Sequence, residues 1–297
     1  MSTYSLNMET QDSAIKQIVP ENTVVEQVAG GFGFTEGPVW YGDSLLFSDI
    51  PHNRIVRWRM LNIGPEVTTF RTPSGNSNGL TLDRSGRLIA CEHSARRVTR
   101  TEPDGTITVL TERYQGKRLN SPNDVVVRSD GSIFFTDPPY GLAQMTTWKE
   151  LPFNGVYRLA PDGELVLLAD DFDRPNGLAF SPDEQVLYVA DTSGGHIRSF
   201  DVGPDGSISN GRVFIEMQAP EPGAPDGMKV DREGNVYCTG PGGFWIINPE
   251  GKCLAIVRPP ELPANLAWGD ADMKSLYLTA RTGLYRIRLS IAGTALF

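Results

Sequence analysis

Six residues with a side-chain oxygen, Glu36, Asn78, Asn123, Asn176, Asp226 and Asn265, each stand immediately before an apolar run. The runs are EGPVW, NGLTLDRSGRLIAC, NDVVVRSDGSIFFTD, NGLAFSPDEQVLYVAD, DGMKVDREGNVYCTG and NLAWGDADMKSLYLTA. Brought together, two carboxylates and four amides would repel one another unless a cation lay between them. An all-oxygen set without thiolate or imidazole suits a hard divalent ion: calcium first, with magnesium, manganese or zinc as substitutes. Two carboxylates balance the ion's charge and leave positions open for water and substrate, as metal-assisted hydrolysis requires. Asn and Asp also favour turn starts by bonding their own backbone, so any one of the six says little by itself.

The elements that must bring these residues together follow from the spacing. The six starts recur at intervals of 39 to 53 residues, close to the period of a four-stranded propeller blade. Alternation such as Val125-Val127 and Leu187-Val189, bounded by Ser-Gly, Asp-Gly and Glu-Gly turns, reads as strand. The segments from Arg97, Gly155 and Phe244 continue each unit with further strands and hairpin turns. The expected fold is all-β, a six-bladed β-propeller. In it the first strand of each blade lines the channel, so the six oxygens converge near the axis. The last copy has only three strands, and TVVEQVA from Thr23 precedes the first copy. The N-terminal strand is therefore expected to pair as the outermost strand of the sixth blade and close the ring. Residues 1–19 are expected as a flexible tail, and 20–297 as a single domain.

Strand direction puts the loops leaving each second strand on the face of the oxygen ring. His52, Glu92, His93, Arg96, Asp137, Tyr140, Asp191 and Arg281 are expected there, and the long 138–154 loop, with Tyr140 and Trp148, is expected as a lid.

A formal net charge of -9 repels phosphate backbones and anionic membranes, and the Lys and Arg residues are scattered. Neither nucleic acid nor membrane is an expected partner. Cys91, Cys238 and Cys253 are an odd set without CxxC spacing, which reads as three small buried hydrophobes in a reducing compartment. The first 17 residues are polar, with no apolar signal core, so a cytoplasmic protein is expected, or a periplasmic one if a signal was removed.

The motifs FTEGPVW, RLNSPNDVVVRSDGSIFFTDPPYGL, RPNGLAF, APDGMKVD and PANLAW resemble the SMP-30/gluconolactonase family of propeller lactonases, from about Val24 to Leu289. The resemblance implies Glu36, Asn123, Asn176 and Asp226 as ligands of one divalent metal, calcium in type. It implies catalytic roles for Asp226, as general base, and Glu36. Arg118 is the nearest match to an arginine that contacts sugar hydroxyls in animal members, although Ser121 and Pro122 change its spacing. Asn78 and Asn265 match the ring and are left, with His93 and Tyr140, as substrate contacts. The implied activity is opening of a sugar lactone to its aldonic acid by water activated at the metal, in a monomer or homodimer. Two other readings are weighed: hydrolysis of phosphotriesters or other esters at the same site, and a propeller that serves only as a docking surface.

Overall fold

The computed structural model describes residues 2–142 and 148–294. Its strands form six antiparallel blades in chain order, a six-bladed β-propeller. Blade 1 comprises Thr35–Tyr41, Ser44–Asp49, Arg54–Leu61 and Gly64–Arg71. Blade 2 comprises Ser77–Leu82, Leu88–Glu92, Arg97–Thr101 and Ile107–Thr111. Blade 3 comprises Val125–Val127, Ile133–Asp137, Asn154–Leu159 and Leu165–Phe172. Blade 4 comprises Pro175–Phe180, Val186–Asp191, His196–Val202 and Ile208–Glu216. Blade 5 comprises Met228–Val230, Val236–Gly240, Gly243–Ile247 and Cys253–Val257. Blade 6 begins with Asn265–Gly269, Ser275–Ala280 and Gly283–Arg288. Each inner strand neighbours the next, and Asn265–Gly269 neighbours Thr35–Tyr41, which closes the circle.

The hairpins form where turn chemistry dictates. At Asp104-Gly105 the aspartate Oδ1 accepts the Thr106 N–H at 3.0 Å, and Gly105 takes φ +84°, a conformation that a side chain would strain. Inner strands are buried along both faces, whereas outer strands such as Gly64–Arg71 are partly exposed. The apolar core is therefore spread between blades. Trp58 and Tyr277, both nearly fully buried, join blades 1 and 6, and Tyr237 meets Trp268 edge-on at 5.0 Å between blades 5 and 6. Burying one such side chain is worth roughly 1.5–3 kcal/mol. The repeated blade-to-blade layer fixes the channel radius.

The N-terminal region differs from the expected tail. Val24–Gly30 pairs antiparallel with Gly283–Arg288, with Ile287 opposite Val25, but it is not the outermost strand: Ser2–Ser5 pairs outside it. Met8–Thr10 adds a strand to blade 5 beside Cys253–Val257. The helical turn Ile15–Ile18 buries both isoleucines against Tyr237, Trp268 and Leu278. The physical reason is that open blade edges offer unpaired N–H and C=O groups. A polar strand needs few apolar residues to satisfy them. No helix among the described residues is long and apolar enough to cross a membrane.

Candidate functional site: a ring of oxygens at one mouth of the channel

Four of the six ring residues precede a glycine, and the reason is steric. A Cβ on Gly37 would lie 1.9 Å from Asn78 O, and one on Gly227 would lie 2.1 Å from Asn265 Cγ. Gly79 and Gly177 stand in the same relation to Asn123 O and Asp226 O. Each missing side chain lets the next blade's ring residue approach the axis. Hydroxyls of the second strands then clasp the following blade: Ser48 Oγ donates to Asn78 O at 2.7 Å, Thr136 Oγ1 to Asn176 O at 2.7 Å, and Thr239 Oγ1 to Ala264 O at 3.0 Å.

Hydrogen bonds link ring members directly. Asn78 Nδ2 donates to Asn123 Oδ1, and Asn265 Nδ2 donates to Glu36 Oε2 at 2.9 Å. Asn176 Nδ2 donates to Thr192 Oγ1 at 2.9 Å, and that hydroxyl donates to Pro225 O at 2.7 Å, next to Asp226. Asp226 is partly exposed, and the other five are buried. Burial and then the charge of Asp124 push the Glu36 carboxyl up to about 7. Burial, then Glu36 and Asp124, raise Asp226 well above the ordinary carboxylate range.

Asp124 was not among the expected site residues. It stands where four other repeats have glycine, so blade 3 adds a third carboxylate beside the ring. Its Oδ1 accepts the Val125 N–H at 2.9 Å, while Oδ2 is buried with no hydrogen-bond partner among the described residues. Burial raises its pKa, opposed by the charge of Lys229. Lys229 comes from the inner strand of blade 5 and donates to Met228 O at 2.9 Å. Ionised together against the one ammonium, the three carboxylates would carry two net negative charges, the balance for one divalent cation; without a cation, burial holds each carboxyl toward its protonated form. The departure from Asn-Gly to Asn-Asp at residues 123–124 was the available signal; the inward-facing Lys229 had none.

The donor set fits a hard divalent ion. Asn78 Oδ1 and Asp124 Oδ2 are buried acceptors without partners among the described residues. No group of three or more His, Cys, Asp and Glu side chains among those residues could hold a metal alone, so amide oxygens would have to complete the coordination shell.

The other expected residues divide into two groups. His93 reaches the ring, with Nε2 at 3.2 Å from Asn78 Nδ2, and burial lowers its pKa to about 4, so the imidazole is neutral. Tyr140 also reaches it: the phenol oxygen is buried without a hydrogen-bond partner among the described residues, beside Thr192 and Asn176 and within range of the Asp226 charge. Arg118 donates from its guanidinium to Ala95 O at 2.9 Å and from its backbone N–H to Glu150 at 2.8 Å.

Glu92, Asp137 and Asp191 serve as loop anchors. Asp137 accepts the N–H groups of Asn120 and Ser121, both at 2.7 Å, and Asp191 accepts those of Asp173 and Arg174, both at 2.9 Å. Glu92 is held by Arg71, Arg97 and Thr99. His52 pairs with Asp49 at 2.8 Å, and Arg96 donates to Leu119 O and Asn120 O. Arg281 contributes its carbonyl to Thr35 N–H at 2.8 Å. Of the expected lid, residues 143–147 lie outside those described; its start is seated by Gly141 N–H donating to Ser121 Oγ at 2.7 Å.

Two alternative sites are less suited to hydrolysis. The run GNSNG at 75–79 spells Gly-x-Ser-x-Gly. Ser77, however, is fully buried inside a strand with its hydroxyl against Ser48 Oγ at 2.8 Å, not on a strand-to-helix elbow. A cavity of about 580 Å³ opens at the opposite mouth, among the first-hairpin turns, lined by Trp40, Leu82, Trp268 and Met273. It lacks the convergent carboxylates, so the chemistry belongs to the ring.

A six-bladed propeller with an oxygen ring at one mouth defines the structural class. Residues 34–282 match the family model SMP-30/Gluconolactonase/LRE-like region, and the chain belongs to that family. It is similar to a gluconolactonase of Zymomonas mobilis, with 34% identity over 93% of this chain and 84% of that protein. A pentonolactonase of Haloferax volcanii shares 27% identity over 88% of this chain and 86% of its own. The solved structure of a gluconolactonase from Xanthomonas campestris superposes with a TM-score of 0.88 at 34% identity, covering 97% of this chain and 98% of that one.

Proposed function

We propose that this protein hydrolyses a sugar lactone to its aldonic acid at the oxygen ring, with one divalent cation, calcium in type, held by Glu36, Asn123, Asn176 and Asp226. The observation that carries the reading is the ring itself: converging side-chain oxygens with three carboxyl groups whose ionised forms burial disfavours without a cation, in a chain whose relatives include gluconolactonases and a pentonolactonase. The bound ion would supply Lewis-acid polarisation of the lactone carbonyl. Asp226 takes a proton from the attacking water as oxygen adds to the carbonyl carbon. The ring C–O bond then breaks, and the departing oxygen takes a proton to become the hydroxyl of the acid. Asn265 holds Glu36 in place, and neutral His93 with Asn78 lines the wall. Tyr140 offers its hydroxyl to the substrate.

The test is a pH-drop assay over a panel of aldonolactones, with and without chelator, and with each metal restored. Turnover that is lost with chelation and regained with one metal is expected. Absence of turnover on every lactone under every metal would refute the reading.

A further inference from the structure

Arg174 stands two residues before the ring residue Asn176, and its backbone is pinned. Asp191 Oδ1 accepts its N–H at 2.9 Å, and its carbonyl accepts the Thr192 N–H at 3.0 Å. Its guanidinium lies 5.8 Å from the centroid of the Tyr140 ring. It makes no hydrogen bond or ion pair to any described residue. The segment 143–147, Ala-Gln-Met-Thr-Thr, has no acidic side chain to offer it.

Many of the other arginines of this acidic protein are already engaged. Arg54, Arg71, Arg97, Arg198, Arg286 and Arg288 each hold a carboxylate. The Arg174 fork is thus a partly buried, singly charged donor set facing the mouth of a negatively charged site. The aromatic face beneath it restricts its directions. Beside it lies the Tyr140 hydroxyl, buried near Thr192 and Asn176. A ligand that reaches from the ring past Tyr140 meets the guanidinium at its far end. Glu36, Asp124 and Asp226 repel an anion at the ring, so Arg174 marks where one is accepted.

We propose that Arg174, backed by Tyr140, reads an anionic substituent of the substrate. The substrate is then an acidic sugar lactone, bearing a carboxylate or a phosphate on the carbon remote from the lactone carbonyl. The proposal rests on the lactonase reading above and narrows its substrate class.

The experiment compares wild type with Arg174→Gln on three lactones: neutral glucono-1,5-lactone, its 6-phosphate, and glucaro-1,4-lactone. The expected result is a loss of tenfold or more in kcat/KM, carried by KM, on one or both acidic lactones and under threefold on the neutral one. Which acidic lactone suffers more identifies phosphate or carboxylate as the group read. Equal losses on all three, or none on either acidic lactone, would overturn the proposal. Calorimetry with 6-phosphogluconate, glucarate and gluconate in calcium buffer separates this from failure of the lactonase reading. If no lactone is opened, a tenfold affinity loss in Arg174→Gln confined to 6-phosphogluconate or glucarate still supports the anion arm, and unchanged affinities overturn it.

Discussion

Asn265 donates its amide to Glu36 Oε2 at 2.9 Å, joining the last blade of the ring to the first across 229 positions of sequence. The same carboxylate oxygen accepts the Gly37 N–H, so Glu36 is held from two sides while burial raises its pKa. A hydrogen bond to a charged group is worth about 1.5–3 kcal/mol. Replacing Asn265 with Ala should therefore weaken divalent-cation binding about tenfold or more by calorimetry, with the fold intact by circular dichroism. Unchanged affinity would remove Asn265 from the positioning role.

The Glu36 carboxyl gives the cation-free protein a pH dependence of definite sign. Its folded pKa, about 7, lies above its ordinary 4.5, so the folded state prefers the protonated acid. Its contribution is fully favourable below about pH 4.5 and is lost as pH rises through 7. In chelator, thermal stability should fall between pH 5 and 7.5, by an amount on the order of 3 kcal/mol from this group. Glu36→Gln should make that slope shallower, and saturating calcium should reduce it in the wild type, with buried Asp137, also raised to about 7, keeping part of it. A wild-type slope of opposite sign across this window would contradict the buried-carboxylate account.

Asp124 carries a buried oxygen without a partner among the described residues, and its charge raises the pKa of Glu36 and Asp226. Asp124→Asn should stabilise the cation-free protein by about 1–3 kcal/mol, since it removes a buried carboxyl whose charge is disfavoured by burial and by the neighbouring Glu36 and Asp226. The same change should reduce the stability gained on adding calcium. Denaturant midpoints with and without the ion measure both effects, and destabilisation in both conditions would show a purely structural role.

The sequence made the propeller legible because blade architecture repeats its polar start and its alternation six times, and repetition survives local irregularity. The ring was legible for the same reason. The N-terminal strands were hidden because a polar segment can satisfy a blade edge through its backbone, and only Ile15 and Ile18 announce the buried turn. Loop anchors such as Asp137 and Asp191 looked like substrate contacts because sequence shows which face a residue occupies, not whether backbone N–H groups already claim it. Arg118 illustrates that limit: its guanidinium is already engaged by Ala95 O.

Burial of Ile15 and Ile18 makes the first residues part of the stability of blades 5 and 6. Deleting residues 2–19 should cost roughly 3–6 kcal/mol, the worth of two buried aliphatic side chains. It also exposes the edges of Cys253–Val257 and Val24–Gly30. The expected readouts are a lower denaturant midpoint and a greater tendency to aggregate on warming. A variant with unchanged midpoint would show that the segment merely rests on the surface.

The last prediction concerns the division of labour at Asp226. It is the most exposed residue of the ring, and a carboxylate beside the attacking water suits a base that must capture a proton during attack. Asp226→Asn keeps a side-chain oxygen and the volume but removes the charge and the basic site. If Asp226 acts only as a ligand, high calcium should restore turnover once calorimetry shows the site filled. If it also takes the proton, kcat should stay at least a hundredfold down at saturating calcium with little change in KM, because the lost interaction belongs to the transition state. Full recovery of kcat at saturation would assign the base elsewhere and leave Asp226 as a ligand alone.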